Sequence, residues 1–264
     1  MGTTDGIRTA PPAGLVERLR AAGCVFAEDE ARLLAAEAPD EAALETMTAR
    51  RVAGEPLEYV VGWAEFAGLR IAVTPGVFVP RRRSEFLVGE ATGLLGPTAT
   101  VLDLCCGTGA LGAALLAARP GLTLVAADVD AAAVECARRN LPPGTEVFRG
   151  DLFAPLPAAF RGRFDLIAAN APYVPTLEIS LLPAEARAHE APAALDGGSD
   201  GLELHRRIAE EAIGWLTPGG LLMIETSERQ APVAAQMFVA SGLVPSVRRS
   251  EDEDATVVLG ARLA

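Results

Sequence analysis

The sequence predicts an α/β fold: a doubly wound, Rossmann-like and mostly parallel sheet, preceded by a small helical domain and a short β connector. Three observations predict it. Half of the 264 residues are hydrophobic and only 5% are aromatic, so the core must be built from Ala, Leu and Val, as in sheets buried on both faces. Apolar runs alternate with helical stretches through the last two-thirds of the chain, the pattern of parallel strands joined by crossover helices. The first of these runs feeds a glycine-rich turn that opens directly into a helix.

Residues 1 to about 12 are polar, contain Gly and Pro, and are expected to fray. From there to about Gly54 the period is helical: Leu15, Leu19 and Ala22 share a face, Leu33 and Leu34 precede a break at Pro39-Asp40, and a third helix holds Leu44 and Met47 inside. Asp40 is the expected N-cap of that third helix. None of these helices carries enough apolar surface to stand alone, so residues 1–55 read as a small bundle. Over residues 56–80 the period changes. Tyr59-Val60-Val61, then Phe66, Leu69, Ile71 and Val73, with Gly62 and Gly68 as turn signals, predict short β segments that connect to a domain spanning 81–264. The strands of that domain are predicted at Val101 to Leu104, Leu122 to Ala126, Glu146 to Phe148, Leu166 to Ala169, Leu221 to Ile224 and Thr256 to Leu259. Glu251-Asp252-Glu253-Asp254 reads as a solvated turn before the last strand.

The formal net charge of −12 argues against a broad electropositive face that would hold duplex DNA through its phosphates, though not against a local contact. Cys24, Cys105, Cys106 and Cys136 form no Cys-x-x-Cys pair and there are two histidines, so no metal is expected. The N-terminus lacks a basic head followed by an apolar run, and no apolar run would span a bilayer. A cytoplasmic protein without membrane attachment is expected.

Val101-Leu102-Asp103-Leu104 runs into Cys105-Cys106-Gly107-Thr108-Gly109, and a helix begins at Ala110. Glycines there let the chain turn sharply and let a ligand approach the backbone. Gly107-x-Gly109-x-x-Gly112 alone also fits a dinucleotide site, but Asp103 stands where such sites carry an apolar residue. A carboxylate suits the sulfonium and ammonium of S-adenosyl-L-methionine and would repel a pyrophosphate. Asp128, at the end of the next strand, is placed to accept both ribose hydroxyls of either ligand. After the third strand, Asp151 is a candidate acceptor for the adenine amino group, or a helix N-cap, and Leu152 a candidate to pack on the ring. Cys105 and Cys106 read as small loop-lining residues rather than nucleophiles.

The fourth strand ends at Asn170-Ala171-Pro172-Tyr173, where a doubly wound sheet opens its crevice. An amide nitrogen is a poor nucleophile and must be held in line with the methyl group it attacks. The Asn170 side-chain oxygen and the next backbone carbonyl can accept the two N–H bonds of an –NH2 group, while Tyr173 can lie flat on the amide. Such acceptors also favour the positive charge that develops on the nitrogen.

Asn170 to Tyr173, with the loop and Asp128, resembles the glutamine N(5)-methyltransferases of the HemK type, which methylate the glutamine of peptide chain release factors. Gly54 to Gly62, Phe66 to Leu69 and Pro75 to Arg81 look like that family's interdomain segment; Glu190, Ala194 to Gly198, Asp200 to Leu202 and Leu216 to Gly220 look like its later signatures. The resemblance implies a class I methyltransferase sheet, an N-terminal bundle that helps to recognise the protein substrate, and a cofactor site lined by Gly107, Thr108, Gly109, Asp128, Leu152 and Asn170. It also implies that Asn170 through Tyr173, with Glu190 at the pocket edge, hold the glutamine. Two departures mark a divergent branch. Ala171 replaces the first proline of Asn-Pro-Pro-Tyr, and Pro80-Arg81-Arg82-Arg83-Ser84-Glu85 replaces Pro-Arg-Pro-acid-Thr-Glu. Arg82 and Arg83 read as a solvated basic patch. The alternative activity is methylation of another protein, a nucleobase or a small metabolite; the alternative of another class is a non-catalytic S-adenosylmethionine-binding module.

Overall fold

The computed structural model describes residues 11–263; the expected fraying of the first residues falls largely outside that range. The chain divides into two compact units, one holding residues 11–63 with Pro183–His189, the other Ala64–Leu182 with 190–263.

In the first unit, α1 (Leu15–Ala21), α2 (Ala27–Glu37), α3 (Glu41–Val52) and α4 (Leu57–Val61) pack around Leu15, Leu19, Ala31, Leu34, Leu44 and Val60. Asp40 caps α3 by accepting from the Ala43 N–H at 2.7 Å, so the predicted helix start holds. Two expectations are corrected. Ala22 does not share the buried face; it is the exposed C-cap of α1. Tyr59-Val60-Val61 is helical rather than β, because Pro56 starts a turn whose carbonyl accepts from Tyr59 and Val60, burial takes Tyr59 and Val60 to one side, and Gly62 ends it in the left-handed region. β-Branched residues lower helix propensity by only tenths of a kcal/mol, which burial of two large side chains outweighs. Arg51 ties this unit together. Its guanidinium donates to buried Glu30 at 2.6 Å, to the Glu55 carbonyl at 2.9 Å and to Glu185 at 2.9 Å.

The second unit begins at Ala64, inside β1 (Trp63–Phe66), which pairs with β2 (Leu69–Ala72) and is followed by α5 (Glu85–Leu94). Then come β3 (Thr100–Leu104), α6 (Ala110–Ala118), β4 (Thr123–Asp128), α7 (Ala131–Asn140), β5 (Glu146–Arg149) and β6 (Phe164–Ala169). After α8 (Ala184–His189), which belongs to the first unit, follow α9 (Glu203–Ala212), β7 (Leu216–Thr226), α10 (Ala231–Ala240), β8 (Leu243–Ser250) and β9 (Ala255–Arg262). The sheet order is β5-β4-β3-β6-β7-β9-β8; the first five strands are parallel and β9 runs antiparallel to both neighbours. All six predicted strands are present, and β8 is an addition. Its burial follows no alternation and it carries Pro245, Arg248 and Arg249, as an edge strand can. Glu251 to Asp254 form the exposed turn into β9.

Successive side chains of the strands feed opposite faces. Val101 and Ala126 enter one apolar cluster with Leu87, Leu111 and Leu115; Leu102, Leu104, Val125 and Ala127 enter the other with Phe153, Ile208, Trp215 and Phe238. The strand order reverses between β3 and β6, and that is where the crevice opens.

Candidate active site

Register brings the predicted residues to one level. Leu104 pairs with Ala127 on one side and Ala169 on the other, and Ala169 pairs with Ile224. Cys105, Asp128, Asn170 and Glu225 are therefore the next residue on four adjacent strands, with Asp128 and Asn170 about 10 Å apart through the backbone spacing.

The three glycines of the motif spend their N–H donors internally. Gly107 N–H donates to Asp128 Oδ2 at 2.8 Å, Gly109 N–H to the Cys106 carbonyl at 2.7 Å, and Gly112 N–H to Asp103 Oδ2 at 2.9 Å. A pyrophosphate site needs such groups free, so these three N–H groups do not serve the dinucleotide reading. A side chain at Gly107 would meet only open space, whereas one at Gly112 would come within 2.7 Å of Leu124 and 3.1 Å of Asp103. Two glycines of the motif thus have different reasons: room above the loop, and close packing of α6 on the sheet.

Asp103 lies fully buried beneath the loop, and its Oδ1 has no partner among the described residues. Burial, with Asp128 nearby, pushes its carboxyl up to about 8. A buried acceptor left without a donor favours a cationic group nearby. Asp128 is held by the N–H groups of Gly107 and Asp130, at 2.8 and 2.9 Å, which fixes its carboxylate while leaving lone pairs for hydroxyl donors; burial raises its pKa. Cys105 has φ of 58° and Leu152 φ of 45°, left-handed values that strain a side-chain-bearing residue by about 1–3 kcal/mol each. Both follow strands at this rim. Burial and the neighbouring carboxylates push the Cys105 thiol up, so it carries no thiolate. Leu152 is buried, and exposed Asp151 is paired through Oδ2 with Arg207 at 2.6 Å. Thr108 is buried and gives its carbonyl to Asn140. These residues fit S-adenosylmethionine: a buried acid with an unused acceptor for its cationic end, a fixed carboxylate for its ribose, and an apolar side chain for its ring.

On the other side, Asn170 Nδ2 donates to the hydroxyl of buried Ser84 at 3.0 Å. That bond sets the amide's orientation and leaves Oδ1, among the described residues, free to accept. Ala171 is buried in the second apolar cluster, and Pro172 is half-buried. Tyr173 donates its hydroxyl to Glu225 at 3.2 Å and accepts at its carbonyl from Gln230 at 2.9 Å. Its phenol is pushed up to about 12 by burial and by Glu225. Gly201 passes so close that a Cβ would lie 2.2 Å from the Tyr173 carbonyl. Glu190 is buried and accepts from Arg81 at 2.6 Å and from the Val79 N–H at 3.2 Å, holding the segment that leads to Ser84.

Arg82 and Arg83 are both exposed, as a solvated patch requires, but the patch reading is incomplete for Arg83: its Nε also reaches buried Glu225 at 3.1 Å, because a carboxylate out of water recruits the nearest cation. Sequence reasoning also missed Ser84, Glu225, Gln230 and His205. The available signal for Glu225 was an acid immediately after a predicted strand, at the level where Asp128 and Asn170 had been noticed.

A family model, the methyltransferase small domain, matches residues 68–201. A release factor glutamine methyltransferase of Geobacter sulfurreducens is 39% identical over 229 residues, covering 85% of this chain and 80% of the relative. One from Cereibacter sphaeroides is 36% identical over 266 residues and covers 92% of each. A methyltransferase structure from Pyrococcus furiosus shares the fold, with a TM-score of 0.58 at 18% identity over 83% of this chain and all of that one. These matches converge: the chain belongs to the release factor glutamine methyltransferase family.

Proposed function

We propose that this protein methylates the side-chain amide nitrogen of a glutamine in a peptide chain release factor, in the cytoplasm, using S-adenosyl-L-methionine. The observation that carries the reading is Asn170: its Nδ2 is tied to Ser84, so Oδ1 is presented as an acceptor one strand away from the loop and two from Asp128. When bound, the cofactor supplies an electrophilic methyl group on a sulfonium. Asp128 would hold its ribose, Asp103 its ammonium side, and Leu152 with Asp151 its adenine, while Gly107, with open space above it, leaves room for it and Gly109 packs against Ala137 and Leu141.

Asn170 Oδ1 and the Ala171 carbonyl would accept the two N–H bonds of the glutamine amide, turning its lone pair toward the methyl. Tyr173 would cover the amide plane and exclude water. Accepting from N–H strengthens as nitrogen becomes positive, so the same contacts stabilise the transition state more than the ground state. No strong base is required, since the methylated nitrogen is acidic enough to give its proton to water. His205 supports this: it is fully buried, pushed down to about 4 by burial, and bonded to the Glu225 carbonyl. We assign the N-terminal helices a part in recognising the protein substrate, as in the resembled family. Incubating the enzyme and S-adenosylmethionine with a full-length release factor should place one methyl group on a single glutamine; methylation elsewhere, or none, refutes the assignment.

A further inference from the structure

We propose that Glu225 and Arg83 are positioning residues for the acceptor amide, acting together through Tyr173; this rests on the reading of Asn170 to Tyr173 as the acceptor site. Glu225 stands at the end of β7, 1% exposed, level with Asn170 on the adjacent strand. A carboxylate at that depth is costly unless partnered. Its Oε1 takes two donors, the Tyr173 hydroxyl at 3.2 Å and Arg83 Nε at 3.1 Å. The Arg83 guanidinium carbon is also 5.9 Å from the centre of the Tyr173 ring, within range of a cation–π contact.

The other sides of Tyr173 are held as well. Its carbonyl accepts from Gln230, and the ring meets His205 edge-on at 6.5 Å and 87°. His205 in turn bonds the main-chain carbonyl of Glu225 at 3.1 Å. Tyr173 is therefore gripped at its hydroxyl, its ring and its backbone, and two of the three grips run through Glu225 or its partner. Fixing the ring before substrate arrives removes an ordering cost from the reactive complex. Arg83 is one of the two arginines that depart from the resembled segment, where an acid would face Glu225 as a like charge. Here that position attracts instead.

The test is kinetics on a full-length release factor with the wild type, Arg83→Ala, Arg83→Lys, Glu225→Gln and Tyr173→Phe, and with Arg83→Ala and Glu225→Gln each combined with Tyr173→Phe. Arg83→Ala and Glu225→Gln should each lower kcat about tenfold, as expected for loss of a charge-assisted hydrogen bond, with cofactor Kd unchanged and Arg83→Lys restoring part of the rate. In the Tyr173→Phe background neither should lower kcat much further. Unchanged kcat in the single variants, or losses that multiply fully in that background, would overturn the proposal.

A readout independent of substrate is NMR of ring-labelled tyrosine, since Tyr59 and Tyr173 are the chain's two tyrosines and Tyr59→Phe assigns them. The Tyr173 hydroxyl-bearing carbon should shift in Arg83→Ala and in Glu225→Gln; a resonance that stays put overturns the clamp. If the wild type leaves the release factor unmethylated, the substrate reading falls, while the resonance still decides the clamp.

Discussion

The two sides of the crevice are built by different means. Around Gly107 the contacts are backbone N–H groups meeting carboxylates within one strand-helix-strand unit, Gly107 to Asp128 and Gly112 to Asp103. Around Asn170 they are side chains drawn from far along the chain: Ser84 is 86 positions away from Asn170, while Glu225 and Gln230 are 52 and 57 away from Tyr173. A surface made of local backbone tolerates little change in its short motif but needs no distant partner. A surface made of assembled side chains can exchange partners, as Arg83 with Glu225 illustrates, while its central motif stays recognisable.

If that contrast is right, deleting one side chain should damage the acceptor side most. Asn170→Ala should reduce methyl transfer by about 10²–10³-fold, the usual loss for one preorganised polar contact to a reacting group, with cofactor affinity measured by calorimetry nearly unchanged. A fully active variant would break the division of labour. On the cofactor side, the damage should come from adding atoms. Gly112→Ala would set a methyl 2.7 Å from Leu124 and 3.1 Å from Asp103, and urea titration should show a loss of about 1–3 kcal/mol together with weaker cofactor binding. Unchanged stability would mean that α6 can withdraw from the sheet.

The smallest effect is a proton. Because the folded, ligand-free Asp103 carboxyl is pushed up to about 8 by burial, well above its value in an unfolded chain, the folded state holds an extra proton at neutral pH. The stability linked to that proton is present at low pH and is lost as pH rises toward about 8. A cationic ligand favours the carboxylate, so binding S-adenosylmethionine should release up to one proton below that pH, and affinity should rise as pH approaches it. Calorimetry in buffers of different ionisation enthalpy measures this. Asp103→Asn should abolish the release; persistent release in that variant would assign it elsewhere.

The same contrast explains what could be read in the sequence. The parallel strands, the glycine turn and Asp128 were legible because local periodicity and a backbone motif determine them. Asp40 was legible as a cap for the same reason. Tyr59 to Val61 misled because β-branched composition is a weak signal beside the burial and the Pro56 and Gly62 punctuation that make them helical. β8 was missed because an edge strand need not alternate. Asn170 was legible, but what orients it was not: Ser84 and Glu225 become neighbours of the acceptor motif only once β6 and β7 pair and the segment after Glu190's partner Arg81 is laid beside them. Arg83, read by itself, is one of two adjacent surface arginines; only the fold supplies the buried carboxylate it answers.

The most direct test of the account is to map the modified residue after incubating a full-length release factor with S-adenosylmethionine and either the wild type or Asn170→Ala. The account predicts one methyl group on a single glutamine side-chain nitrogen with the wild type, and none above background with a variant that still binds cofactor. A methyl group on any other residue, or an undiminished yield from Asn170→Ala, would contradict it.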